Sequence, residues 1–138
     1  MSSERPLKVL VYSDDRTTRE SVRLALGKRP AADLPEIEYV ECATEPAVIK
    51  QMDAGGVDLA ILDGEAVPAG GLGIARQLKD EIFRCGPILV IIGRPQDAWL
   101  ATWSRAEAAV SHPIDPVRLA EAAGDLLRQR VATLPATT

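Results

Sequence analysis

The stretch Val57-Asp58-Leu59-Ala60-Ile61-Leu62-Asp63 is a nearly continuous apolar run that ends in a carboxylate. An apolar run of this length, bounded by turn residues, is typical of a strand that is buried on both faces of a sheet. The loop that follows, 64–71, contains three glycines and a proline, which end the strand near Asp63. Because ligands of open α/β sheets bind at the carboxyl ends of strands, we expect Asp63 to lie at a functional edge.

A second acidic cluster, Asp14-Asp15, closes the apolar run from Val9 to Tyr12. Acids that end two neighbouring strands can share one divalent cation. They also leave one carboxylate free to act as a nucleophile toward phosphorus. Asp14, Asp15 and Asp63 are therefore candidates for a common site.

Strand and helix patterns alternate along the chain. Strand patterns cover 8–12, 37–42, 57–62, 88–92 and 108–111, and helix patterns cover 17–28, 46–54, 71–83, 96–106 and a last helix that starts at 116 after the capping residue Asp115. Strands that alternate with helices of this length require a parallel sheet with helices on both faces. We predict one doubly wound α/β domain.

Composition limits the classes of function. The chain has 138 residues, 46% of them hydrophobic, which suits a single soluble domain with a core. Its net charge of −4 gives no reason to expect a nucleic-acid partner. There is no apolar run of membrane-spanning length and no signal peptide, so we expect no membrane contact and a cytoplasmic location. We expect a disordered N-terminus at 1–6, the domain at 7–130 and a frayed tail at 131–138.

With these strand ends identified, the chain resembles the receiver domain of bacterial response regulators from about Lys8 to Arg130. The resemblance implies a flavodoxin-like, five-stranded parallel sheet in the order 2-1-3-4-5, an order that is general for this type of fold. It also implies two acids after the first strand, a phosphorylatable Asp after the third, a Thr or Ser after the fourth, and a Lys followed by Pro after the fifth.

Carried onto this sequence, the resemblance makes Asp63 the phosphoacceptor and Glu65 the residue whose main-chain carbonyl ligates Mg²⁺. Arg19 matches the basic residue of the first helix, and counting back from it places Asp14 at the second acidic position and Ser13 at the first. A shift of one residue would make Asp14-Asp15 the acidic pair instead, so both registers stay open.

Three departures from the family pattern affect the expected chemistry. Ser13 removes one carboxylate, so Asp14 and Asp63 are expected to bind Mg²⁺ weakly. Ile92 stands where the family has its hydroxyl and cannot donate a hydrogen bond. His112 stands in place of the lysine, so its charge depends on pH and its reach to Asp63 is open. Pro113 keeps the proline that follows, and the resemblance implies a cis peptide bond there.

Each of these residues also has a purely structural interpretation. Asp63 could be a turn residue, and Asp14 or Asp15 could cap the first helix. His112 could be a turn residue with its ring on a backbone carbonyl. A transition-metal site built from His112, Asp63 and Asp14 is a further alternative.

Trp99 and Trp103 lie four residues apart and therefore share one face of the fourth helix. We expect one of them to pack in the core. Burial of both on one amphipathic helix is harder to arrange, so an exposed aromatic edge stays open as well, and it would make the pair a candidate protein interface.

The leading functional prediction is a stand-alone receiver that signals in a two-component phosphorelay. Asp63 would take phosphate from a sensor histidine kinase or a small phosphodonor, with output by protein–protein contact through 96–130. The alternative is a degenerate receiver that works without phosphorylation as a docking or dimerisation module, and a homodimer fits either prediction. A flavodoxin-like binder of small ligands is a third interpretation, although the chain lacks a phosphate-binding loop after the first strand. We expect no enzyme activity beyond self-phosphorylation and autodephosphorylation at Asp63.

Overall fold

The computed structural model describes residues 5–82 and 84–133. Strands and helices alternate throughout, as the sequence predicts. The strands are β1 (Leu7–Tyr12), β2 (Ile37–Cys42), β3 (Leu59–Asp63), β4 (Ile88–Ile92) and β5 (Ala108–Ser111). The helices are α1 (Arg16–Leu26), α2 (Glu45–Ala54), α3 (Gly71–Glu81), α4 (Ala98–Ser104) and α5 (Pro116–Thr133), and a short 3-10 turn (Pro95–Asp97) precedes α4.

The strands form one parallel sheet in the order β2-β1-β3-β4-β5, which confirms the predicted topology. The register pairs Tyr12 of β1 with Leu62 of β3. The residues that follow them, Ser13 and Asp63, therefore meet at the same edge of the sheet. On the other side β3 pairs with β4, and β4 pairs Ile92 with Ser111 of β5. The carboxyl ends of β1, β3, β4 and β5 therefore bring their following residues into one row.

The core has two layers because alternate residues of each central strand point to opposite faces. Ala60 and Leu62 of β3 pack with one layer, under α2 and α3. Leu59 and Ile61 pack with the other layer, under α1 and α5. Every residue of β3 and β4 is buried, which accounts for their continuous apolar sequence.

Helix boundaries differ from the predicted ones mainly at the carboxyl ends. Helix α1 ends at Leu26, followed by Gly27 with a φ of 61°, a conformation that glycine adopts without steric cost. Helix α3 ends at Glu81, and the predicted end at Phe83 lies outside the described residues. Helix α4 is shorter than predicted, because Pro95 starts a 3-10 turn and Arg105 takes a left-handed conformation after Ser104.

The prediction that one tryptophan packs in the core is wrong. Trp99 is 66% exposed and Trp103 is 45% exposed. A helix of seven residues buries only one narrow face, and on α4 the fully buried residue is Ser104. Two residues four apart lie on one side of the helix, and both indole rings remain largely at the surface.

The amino end of the sheet is held by an ion cluster that the sequence did not predict. Asp58, which is fully buried, accepts two hydrogen bonds from Arg5 at 2.9 Å, one from the Lys8 amide at 2.9 Å and one from Arg130 at 3.0 Å. Arg5 therefore has a fixed partner, although it belongs to the segment expected to be disordered. Helix α5 also continues to Thr133, three residues into the expected tail, while 1–4 and 134–138 lie outside the described residues.

In the described part of the chain, no helix is both long enough and apolar enough to cross a membrane.

Candidate functional site

Asp63 is the centre of the row of residues that follow the strands. Its side chain is almost fully buried, and both of its carboxylate oxygens accept hydrogen bonds. Oδ2 accepts from the Ser13 hydroxyl at 2.8 Å, and Oδ1 accepts from the Glu65 amide at 2.9 Å. The His112 ring nitrogen Nε2 lies 3.0 Å from Oδ1. Since an ionised carboxylate only accepts, Nε2 must carry the proton in this pair.

Ser13 is fully buried, and its hydroxyl is held on two sides. The oxygen accepts a hydrogen bond from the Asp15 amide at 3.0 Å, so its single proton is directed to Asp63. Arg19 donates to the Ser13 carbonyl at 2.7 Å and to Glu41 at 3.1 Å, which ties the β1–α1 loop to α1 and β2. Arg19 thus supports the position of Ser13 rather than contacting Asp63.

The two acids after Ser13 have different structural roles. Asp15 caps α1, because its side chain accepts a hydrogen bond from the Thr17 amide at 2.9 Å. Asp14 is exposed and accepts from the Val67 amide at 3.1 Å, so it faces the loop that follows Asp63. The structure therefore places Ser13 on Asp63, Asp14 against the loop that follows Asp63 and Asp15 on the helix.

Glu65 lies two residues beyond Asp63, and its side chain packs against Gly93 after β4. A Cβ added at Gly93 would meet the Glu65 carboxylate, so Glu65, an exposed and flexible side chain, would have to move aside. Arg94 follows Gly93 and is paired with Asp97 at 3.1 Å. The Asp97 carboxylate raises the Arg94 pKa, and Glu65 adds to the effect at longer range.

Ile92 ends β4 and His112 follows β5, the two places where the resemblance predicts a hydroxyl and a lysine. Ile92 is buried, and its carbonyl accepts a hydrogen bond from the His112 amide at 2.8 Å. The His112 side chain is long enough to contact Asp63, and the partner of its ring is this carboxylate rather than a backbone carbonyl. The His112-Pro113 peptide bond is cis, as the resemblance implied, and so is Val67-Pro68.

Tyr12 contributes to the site in a way that sequence reasoning missed. Its hydroxyl donates a hydrogen bond to the Ala69 carbonyl and so holds the loop after β3 against the end of β1. Burial, together with the negative charges of Asp14, Glu45 and Asp63, raises the Tyr12 pKa. The only sequence signal was a tyrosine at the end of an otherwise aliphatic strand.

The residues at this edge fit Mg²⁺ in a limited way. Among the described residues, no three His, Cys, Asp or Glu side chains come close enough to form a metal cluster. The transition-metal site of His112, Asp63 and Asp14 is therefore not formed. Mg²⁺ needs fewer protein ligands, since it is often held by one or two carboxylates together with water and phosphate oxygens. Asp14, Asp63 and the main-chain carbonyl of Glu65 are the groups available to it.

The two exposed tryptophans share one side of α4, and Trp103 also contacts α3. The Arg76 guanidinium of α3 stacks over the Trp103 ring at 5.0 Å and donates to the Trp103 carbonyl at 2.9 Å. On the other side of α4, a groove runs over β5 toward α5 and is lined by residues that include Ala98, Val110 and Ala122. The tryptophan edge and this groove are two separate surfaces.

Comparison with known proteins shows the family of the chain and agrees with the fold. The uncharacterized response regulatory proteins of two Mycobacterium tuberculosis strains are each 64% identical to this chain over 126 residues, which is 91% of this chain and 95% of each relative. No family model matches the chain.

Solved receiver domains share the fold at low sequence identity. A CheY-like receiver domain protein from Methanospirillum hungatei aligns with a TM-score of 0.71 and 17% identity, over 93% of this chain and 98% of that one. A receiver domain protein from Clostridium thermocellum aligns with a TM-score of 0.74 and 18% identity, over 93% and 99%. At these identities the likeness shows the flavodoxin-like fold.

Proposed function

The chain belongs to the receiver domains of response regulators in two-component signalling, and from that premise we propose that Asp63 is its phosphoacceptor. The observation that carries the proposal is a buried carboxylate at the carboxyl end of β3, in a row with Ser13, Ile92 and His112. In the reaction, an Asp63 oxygen attacks phosphorus and the P–N bond of the donor breaks. The leaving nitrogen takes a proton, and the product is an acyl phosphate.

Weak Mg²⁺ binding is part of this proposal. Asp14, Asp63 and the Glu65 carbonyl would hold the ion, and when bound it neutralises charge on the transferring phosphoryl group. Because Ser13 supplies no carboxylate, binding depends on two acids and improves when phosphate oxygens become ligands. His112 Nε2 supports the same step by orienting Oδ1 of Asp63 through its hydrogen bond.

Output by protein–protein contact is the second part of the proposal. The surface formed by α4, β5 and α5 is the expected face, and the exposed rings of Trp99 and Trp103 extend it toward α3. Aromatic side chains and arginine are frequent at protein interfaces, which suits this edge for a protein partner or a second copy of the chain. We also propose that the phosphoryl donor is a histidine kinase, that the receiver acts as a stand-alone domain and that it is located in the cytoplasm.

Incubation of the full chain with phosphoramidate and Mg²⁺, followed by intact mass measurement, tests Asp63 directly. We expect the mass of one phosphoryl group to be added, and we expect Asp63→Asn to abolish the addition. Asp115→Asn is a matched control, because Asp115 also follows a strand at this edge but caps α5, and asparagine caps equally well. Labelling that persists in Asp63→Asn would show that the acceptor is another residue.

One observation favours the alternative function of a receiver that is never phosphorylated. Both oxygens of Asp63 are already engaged by protein donors, and Ile92 offers no hydroxyl to a phosphoryl group. Such a receiver would work as a docking or dimerisation module in its resting form. The absence of any mass increase in the unmodified chain, with a conventional receiver labelled in parallel, would favour this function.

A further inference from the structure

The Ser13 hydroxyl both accepts and donates a hydrogen bond, so this residue does more than remove a carboxylate from the site. Its oxygen accepts from the Asp15 amide at 3.0 Å and its proton is donated to Asp63 Oδ2 at 2.8 Å. The residue is fully buried, and Arg19 fixes its carbonyl at 2.7 Å. A hydroxyl constrained in this way has one orientation, which points at the carboxylate.

A carboxylate in the place of Ser13 would have the opposite effect on Asp63. Two carboxylates at hydrogen-bond distance repel each other unless a proton or a cation lies between them. The Ser13 hydroxyl instead donates to Asp63, and hydrogen bonds to an ionised acceptor are among the stronger ones. With the Glu65 amide and His112, it completes a set of three donors around one buried carboxylate.

We propose that Ser13 is a positioning residue that holds the resting Asp63 carboxylate in place without a divalent cation. The inference deepens the proposed function and rests on it, since it concerns the site in which Asp63 would accept phosphate. It assigns to hydrogen-bond donors of the protein the stabilisation of the Asp63 carboxylate that a metal ion would otherwise provide before the phosphoryl group arrives. Divalent cations would then act only together with phosphate oxygens.

Thermal unfolding of the full chain across a MgCl₂ series, at constant ionic strength, tests the proposal without any phosphodonor. A ligand that binds only the folded state stabilises it by RT ln(1 + [L]/Kd), so the melting temperature rises further when the affinity is higher. We expect the midpoint of the unmodified chain to move by less than about 1 °C up to millimolar Mg²⁺. We expect Ser13→Asp to melt lower without metal and to gain at least about 3 °C with Mg²⁺, since affinity rises tenfold or more.

Two further variants separate this role from a general effect on stability. Ser13→Ala removes the donor without adding charge, so it should lower the midpoint and leave it insensitive to Mg²⁺. Thr44→Asp adds a carboxylate at the same edge of the sheet while keeping the cap of α2, and it should also show no Mg²⁺ response. A Mg²⁺ response confined to Ser13→Asp is the expected result.

The Glu65 amide gives a readout that does not depend on any variant folding. It donates to Asp63 Oδ1, so a cation on Asp63 would shift its ¹H–¹⁵N resonance. We expect no saturable shift in the unmodified chain at millimolar Mg²⁺. A saturable shift, or a midpoint that rises with Mg²⁺ as much as that of Ser13→Asp, would overturn the proposal. Neither result bears on the proposal that Asp63 accepts phosphate, because the mass measurement tests that proposal separately.

Discussion

Asp14 and Asp15 are neighbours in sequence, yet the structure gives them different chemistry. Asp15 accepts a hydrogen bond from the Thr17 amide as the cap of α1, whereas Asp14 accepts from the Val67 amide in the loop that follows Asp63. A carboxylate that accepts from one exposed amide keeps free lone pairs for a cation. The difference leaves Asp14 as the proposed metal ligand and Asp15 as a structural cap.

We therefore expect Asp14→Asn to raise the Mg²⁺ concentration needed for half-maximal phosphorylation of Asp63 severalfold. Asp15→Asn should leave it unchanged, because asparagine is an equally good helix cap. The measurement is the extent of labelling by phosphoramidate as a function of Mg²⁺. A larger effect from Asp15→Asn would place the metal ligands one residue further along the chain.

At the scale of elements, the strands were predictable and their side-chain contacts were not. The apolar run at 88–92 predicted β4 at its observed bounds, because a strand between two helical layers is buried along its whole length. The edge strands β2 and β5 also have their predicted bounds, and β2 was predicted from an alternation of apolar and acidic residues. The contact between Ser13 and Asp63 depends on how β1 and β3 align, which no local pattern encodes. Trp99 is exposed because α4 has only seven residues. The helix propensities of the residues around α4 do not show where the helix ends.

The link between Asp63 and helix α4 is where a switch would have to act. In the family pattern, a hydroxyl after the fourth strand moves toward the phosphoryl group, and here Ile92 offers none. A ligand shifts a two-state equilibrium only through contacts that differ between the states. Loss of one such hydrogen bond removes roughly 1–3 kcal/mol of bias, which is as large as a typical allosteric coupling.

We therefore expect little change in the fluorescence of Trp99 and Trp103 when beryllofluoride occupies Asp63. The double change Ile92→Thr with His112→Lys should restore part of the response, since it returns a hydroxyl and a permanent cation to the site. Asp63→Asn in each background is the control for binding elsewhere. A large response in the unmodified chain would mean that α4 moves by a route that does not need the hydroxyl.

At the scale of the whole molecule, Asp58 connects the N-terminal segment, the start of β3 and the end of α5. Burial alone would raise the Asp58 pKa, but hydrogen bonds from Arg5, the Lys8 amide and Arg130 outweigh it and lower the pKa. A carboxyl group whose pKa is lower in the folded state than in the unfolded state stabilises the folded state at pH values above the ordinary carboxyl pKa. That stability is lost as the pH falls below about 4, through the folded-state value.

We expect Asp58→Asn to lower the free energy of unfolding at neutral pH by roughly 2–3 kcal/mol, since it removes charge-assisted hydrogen bonds to two partly exposed arginines. It should also reduce the loss of stability on acidification below about pH 4. Asp53→Asn, on the exposed face of α2, is the matched control and should change stability by less than about 0.5 kcal/mol. Urea denaturation at neutral and acidic pH measures both effects, and equal behaviour of the two variants would contradict this role.

The most direct test of the account is to locate the phosphoryl group in the labelled chain. Borohydride reduces an acyl phosphate on aspartate to homoserine, so peptide sequencing by mass spectrometry identifies the modified residue. We predict homoserine at position 63 and at no other acid after treatment with phosphoramidate and Mg²⁺. Homoserine at position 14 or 15, or its absence from a chain that has gained the mass of a phosphoryl group, would contradict the assignment of Asp63.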